Sequence, residues 1–153
     1  MVELPSTMGE LDNILPAFIG LQCWSFTCGG AVGSILGVAA GPKKQRPRPL
    51  TNPHISETLR QFKGEFGLLI YCRWKLRRFG KVSLTDAEID SKTGTFKSAL
   101  REAEGLSIKG YTLSDNFDLS FDLGDGSLDI ICSRPPSVNG NYNVYSPWGS
   151  LGV

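Results

Sequence analysis

The stretch Ile14–Gly41, ILPAFIGLQCWSFTCGGAVGSILGVAAG, contains no charged side chain, and Lys43, Lys44, Arg46 and Arg48 follow it closely. Two readings compete for it. As a helix it exceeds the roughly 20 apolar residues that cross a bilayer, and the basic cluster behind it suits the cytoplasmic side of a membrane. Gly29, Gly33, Gly37 and Gly41 would then line up as a smooth face for helix packing. As two strands, Leu21, Trp24 and Phe26 precede a Gly29-Gly30 turn, and Val32, Ile35 and Val38 come after it, which is the pattern of a β-hairpin. Gln22, Ser25, Thr27 and Ser34 interrupt the apolar run, and each of its six glycines costs a helix in water about 1 kcal/mol relative to alanine. The residues of this stretch alone leave both readings open.

Around it, 153 residues with 41% hydrophobic and 20% charged content describe one globular domain spanning residues 1–153. The N-terminal segment 1–13 carries Glu3, Glu10 and Asp12, unlike the positive start of a secretory signal, so a cytoplasmic protein is expected. Cys23, Cys28, Cys72 and Cys132 are few for the length, and three of them fall within apolar runs. Reduced, buried thiols are expected of them rather than a disulfide or a metal site. Residues 42–53, PKKQRPRPLTNP, hold four prolines and form the most loop-like segment, a basic one.

Strand patterning dominates the second half of the chain. Phe66, Leu68, Ile70, Cys72, Trp74 and Leu76 share one face of a half-buried strand, and Tyr71, Arg73, Lys75 and Arg77 share the other. Gly80 allows a turn, and Lys81–Leu84 starts a return strand. Residues 95–104 read as a short helix with Thr95 as N-cap and Gly105 as its stop; Ser56–Lys63 is a weaker helix. Asn116–Cys132 is the clearest hairpin, with Asp125-Gly126 supplying the positive φ of its turn. Asn141–Tyr145 and Leu151–Val153 pair around the turn at 146–149. The chain is therefore expected to be an α+β domain, predominantly antiparallel β sheet, with one or two short helices and a C-terminal β-meander.

Several motifs together resemble a group of small, uncharacterised bacterial proteins. They are a Gly-Ser strand before the basic proline-rich loop, then Gly64-Glu65-Phe66 leading into Leu69-Ile70-Tyr71-Cys72-Arg73-Trp74-Lys75-Leu76, then Asp118-Leu119-Ser120-Phe121 with Gly126-Ser127-Leu128-Asp129-Ile130, then Asn141-Tyr142 with Pro147-Trp148-Gly149. The likeness covers roughly residues 30–153; Lys75 stands where arginine is usual in the group, and Gly67 loosens the strand. The resemblance implies a soluble strand and loop for Ala31–Gly41 and so favours the hairpin over a membrane-associated protein held by residues 14–41. The general character of such proteins is similar to that of immunity partners of bacterial toxins.

The sequence offers no catalytic constellation. His54 is the only histidine and sits in the proline-rich segment. Four residues separate Cys23 from Cys28, and a zinc site would have to gather its other ligands from distant strands. Asp118, Asp122, Asp125 and Asp129 alternate with core positions and lack the calcium-loop spacing, so they read as the solvated face of a hairpin. No phosphate-binding glycine loop is present. Neither an enzyme nor a cofactor nor a metal is expected.

Charge is uneven although the net is +1. Lys43–Lys81 holds eleven basic residues against Glu57 and Glu65, whereas Val82–Asp129 holds ten acidic residues against four basic ones. This suits electrostatically steered binding of a protein partner, with a toxin as the specific guess. Tyr71, Arg73, Lys75, Arg77, Arg78, Tyr145 and Trp148 are the candidate binding surface, since Tyr, Trp and Arg dominate binding hot spots. Two other readings apply to the basic strand. Nucleic acid is the alternative partner, with the strand and basic loop tracking phosphates. The bland reading pairs these bases with Asp118 and Asp122 on a neighbouring strand.

Overall fold

The computed structural model describes residues 4–29, 35–53, 55–88, 96–133 and 140–153. Gly30, Val32, Gly33, Ser34, His54 and Thr95, each named above, lie outside the described residues.

The charge-free stretch enters the fold as a helical turn followed, from Cys23 on, by strands. A helix, α1 (Leu4–Ile14), and a 3-10 turn (Leu15–Phe18) lead to β1 (Cys23–Gly29), which pairs antiparallel with β2 (Ile35–Gln45). Among the described residues no helix is long and apolar enough to cross a membrane. The helix α1 is an addition to the expected elements. Leu11, Leu15 and Phe18 are buried on the core, with Met8 and Ile14 partly buried against it, a helical spacing that continues into the 3-10 turn.

Pro42 does not end β2. The register shifts between Ala40 (opposite Phe66) and Lys43 (opposite Gly64), so Gly41, at φ 75°, and Pro42 form a bulge where the ladder asks for no N–H from the proline. The expected loop 42–53 is thereby corrected: its first four residues belong to a strand, and Lys44 and Gln45 pair with Lys63 and Phe62.

The helix α2 (Glu57–Gln61), capped by Ser56 accepting from the Leu59 N–H at 3.2 Å, passes into β3 (Phe62–Ile70). The long alternating strand read across residues 66–78 is then two strands. After Tyr71 and Cys72 the chain continues as β4 (Arg73–Arg78) in a different sheet. Phe66, Leu68, Ile70, Cys72, Trp74 and Leu76 are all buried, so the alternation persists through the corner while the sheet changes. Further along come β5 (Lys81–Thr85), α3 (Phe96–Ala103), β6 (Gly110–Leu113), β7 (Leu119–Asp122), β8 (Gly126–Ile131), β9 (Tyr142–Ser146) and β10 (Gly149–Gly152). The helix α3 stops at Gly105, φ 94°, as its sequence required. In the β7–β8 turn the positive φ falls on Gly124, at 91°, and not on Gly126.

Among the described residues, ten strands form two five-stranded antiparallel sheets, ordered β1-β2-β3-β9-β10 and β5-β4-β8-β7-β6. One core cluster joins them, with Phe18, Phe66 and Phe121 in edge and tilted ring contacts. The protein is a mostly β single domain with a few short helices. The C-terminal third is not one meander: β6, β7 and β8 stay in the second sheet, and β9 returns to the first beside β3.

Candidate functional site

The seven candidate surface residues fall on different parts of the sandwich. Trp74 and Leu76 point into the core, which puts Arg73, Lys75 and Arg77 on the outer face of the second sheet. Tyr145 lies opposite Gly67 on the outer face of the first sheet, and Trp148 occupies the β9–β10 turn, 71% exposed, in a T-shaped contact with Phe66 at 6.0 Å between ring centroids. Tyr71 is exposed at the corner between β3 and β4. These side chains do not make one continuous surface.

The basic strand is compensated from within. Arg77 Nε donates to Asp129 Oδ2 at 2.8 Å, and Arg78 donates to both oxygens of Asp125 at 2.8 and 2.9 Å. Lys75 stands directly across from Asp129. The acidic partners are thus Asp129 and Asp125 rather than Asp118 and Asp122, because β8 lies between β4 and β7. Asp118 Oδ1 instead accepts the Cys132 N–H, and Asp122 Oδ1 accepts the Gly124 N–H in the hairpin turn. Each of the four aspartates therefore has a structural task. Among the described residues no group of His, Cys, Asp and Glu is arranged to hold a metal.

Asp129 also accepts from Ser120 Oγ at 2.7 Å and Ser127 Oγ at 2.9 Å. Burial pushes its carboxyl up, but the hydrogen bonds from Ser120, Arg77 and Ser127 outweigh it and hold the group below the ordinary carboxylate value. A carboxyl depressed in the folded state contributes stability above the unfolded value, about 4, and loses it as pH falls through the folded one. Asp129→Asn is therefore expected to lower the melting temperature at pH 7 and to narrow its gap to the parent chain as pH falls below about 4, read by thermal melts across acid pH.

A larger feature lies on the outer face of the first sheet. Ser25, Ala39, Gly67 and Tyr145 form one cross-strand row, and Thr27, Gly37 and Leu69 form the next. Small side chains at five of these seven positions leave a groove of about 820 Å³. The segment after β2 doubles back to wall it: the Arg46 N–H donates to the Gln61 carbonyl, and Arg46 Nε donates to the Leu59 carbonyl at 3.0 Å. A second arm of about 660 Å³ runs between α3 and β1 and shares Ser25, Thr27, Gly37 and Leu69 with the first.

Lys44, Arg46 and Lys63 stand along the first arm with Glu65, and Lys97 and Arg101 along the second with Glu104. Five cations against two carboxylates make the groove basic. Burial pushes the Glu104 carboxyl up, and Arg101 opposes it. The Cys28 thiol lining the second arm is a poor nucleophile, pushed by burial up to about 11, and burial in the core pushes Cys23 up to about 12. Among the described residues no groove hydroxyl or thiol is hydrogen-bonded to a carboxylate, the arrangement a nucleophile and its base require. What the groove provides is a shaped, charged platform.

Sequence patterning points to Tyr145 and Trp148 at its margin but not to its floor, which consists of residues with no chemical signature. No protein-family model, curated protein or solved structure matches the chain.

Proposed function

We propose that the protein is a non-catalytic binding domain that receives an acidic segment of a protein partner in the groove on the outer face of its first sheet. The observation that carries this reading is the groove itself, whose floor of Ser25, Ala39, Gly37 and Gly67 admits a partner close to the sheet. Its rim carries more cations than carboxylates, which favours an acidic occupant. Tyr145, lining the groove, and Trp148, on the adjoining turn, are the aromatic anchors. Neutralisation of a bacterial toxin in the cytoplasm is the specific form of this function, supported by the resemblance to small uncharacterised bacterial proteins whose general character is similar to that of immunity partners.

Ala39→Trp places a bulky ring on the groove floor, pointing away from the core. It is expected to weaken partner binding about 100-fold, the size of a hot-spot loss, while thermal melts stay close to the parent. The triple change Arg73→Ala, Lys75→Ala and Arg77→Ala lies on the other sheet and should leave binding within a few-fold. The partner is first captured on the immobilised full chain from nuclease-treated lysate of the source organism, without detergent, and its affinity is then measured for each variant. Capture that persists through Ala39→Trp but fails in the triple variant would overturn the groove. Capture seen only without nuclease would establish nucleic acid as the ligand instead.

A further inference from the structure

Outside the groove, reactive side chains come together where the chain passes between the sheets. Cys72 sits at the corner between β3 and β4, 5% exposed, and Cys132 directly follows β8, half-buried. Arg73 pairs with Ile131, so Cys72 and Cys132 stand opposite each other at the next register position. The Cys72 N–H donates to the Asn141 carbonyl at 3.0 Å and the Cys132 N–H donates to Asp118 Oδ1 at 2.8 Å, so the two exchange no backbone hydrogen bond. An antiparallel pair of that kind brings its Cα atoms to about 4.5 Å. A disulfide bridges Cα separations of about 4.4–6.8 Å. In the reduced protein each thiol has its own acceptor, the Arg73 carbonyl at 3.7 Å from Cys72 Sγ and the Phe117 carbonyl at 3.4 Å from Cys132 Sγ. By contrast, Cys23 and Cys28 lie along a single strand, roughly 16 Å apart at strand rise, and cannot bridge.

We propose that Cys72 and Cys132 are a reversible dithiol–disulfide pair that reacts with hydroperoxides and, when oxidised, staples the two sheet crossovers together. The half-buried Cys132 is the attacking sulfur and the buried Cys72 resolves it. The neighbouring Cys72 thiol holds Cys132 below its ordinary thiol value, against burial and the nearby Asp118 carboxylate. The neighbouring Cys132, and then burial, push Cys72 up. In the first step the Cys132 thiolate attacks one oxygen of the hydroperoxide, the O–O bond breaks, and Cys132 becomes a sulfenic acid while the leaving oxygen takes up a proton. In the second, the Cys72 sulfur displaces the sulfenic hydroxyl as water and the S–S bond forms. Two thiols lose two electrons and two protons, and the peroxide becomes water and an alcohol, or two waters if it is hydrogen peroxide itself.

The linkage would tie β4 to the exit of β8 beside Asn141. That residue is fully buried, its carbonyl accepts from Tyr71 and Cys72, and its side-chain oxygen accepts from the Ser133 N–H. Oxidation therefore acts on the hinge line of the sandwich and not on the groove.

The test treats the full chain with hydrogen peroxide, alkylates the remaining thiols and maps the protein by mass spectrometry. The expected product is 2 Da lighter, carries two alkylated cysteines, and yields a peptide joining Cys72 to Cys132 that dithiothreitol removes. In Cys72→Ser the reaction should stop at a dimedone-reactive sulfenic acid on Cys132. Four alkylatable thiols after treatment, or a cross-link through Cys23 or Cys28, would overturn the proposal, and the parent chain alone suffices to decide it.

Discussion

Replacing Gly126 by alanine is expected to destabilise the protein by at least about 3 kcal/mol, a large share of the 5–15 kcal/mol that holds a typical domain together. Gly126 opens β8 at the position paired with Arg78 of β4. A methyl group there would overlap the Arg77 carbonyl oxygen and sit 2.9 Å from Arg78 Cα. Both obstacles are backbone atoms of the neighbouring strand, so no side-chain rotation relieves them. The strands would have to part, and the Arg78–Asp125 ion pair at the same end of the sheet would be strained with them. Gly110, on the edge strand β6, has nothing within 4 Å of an added methyl, and Gly110→Ala should change stability by no more than about 1 kcal/mol. Urea denaturation of the two variants side by side measures the contrast. Equal midpoints would show that β8 and β4 do not approach so closely at Gly126.

The second large effect is expected at Trp74. It is the largest fully buried side chain and follows directly on the corner where β3 gives way to β4, with its backbone N–H donating to Asp86 Oδ1 at 3.0 Å. Truncation to alanine removes its apolar contacts and leaves a void that a β-sandwich core cannot close, a loss of about 3–5 kcal/mol. At about 2–4 °C per kcal/mol for a chain of this size, the melting temperature should fall on the order of 10 °C. Trp148→Ala, on an exposed turn, should leave the melt nearly unchanged and show its effect only in partner binding.

These two sites differ in how legible they were. Trp74 was assigned to the core from alternation alone, because the buried positions from Phe66 to Leu76 keep their parity through the bend. For the same reason the bend was invisible: a period of two records which side faces inward but not which sheet a residue belongs to. The four prolines of residues 42–53 predicted a loop, and a bulge at Gly41-Pro42 let the strand run on to Gln45. The helix α1 could have been found from the spacing of Leu11, Leu15 and Phe18, but its short length and Gly9 weaken the local signal. At the surface, charge drew attention to β4, whose Arg77 and Arg78 meet Asp129 and Asp125 across the sheet. The groove went unseen because it depends on what is missing from Ala39, Gly37 and Gly67, and a side chain's smallness becomes a feature only when its cross-strand neighbours are known.

The position of β9 has a consequence for synthesis. It pairs with β3, so Leu68 must wait for Val144, and β4 likewise waits for β8. A nascent chain that has emerged only as far as Gly140 therefore presents β3 with one side unpaired, its backbone donors and acceptors along Gly67–Ile70 open to any other extended chain. Hydrophobic residues flank that open edge on the core side. Until β9 is made, that edge of β3 is where a neighbouring polypeptide would pair in its place.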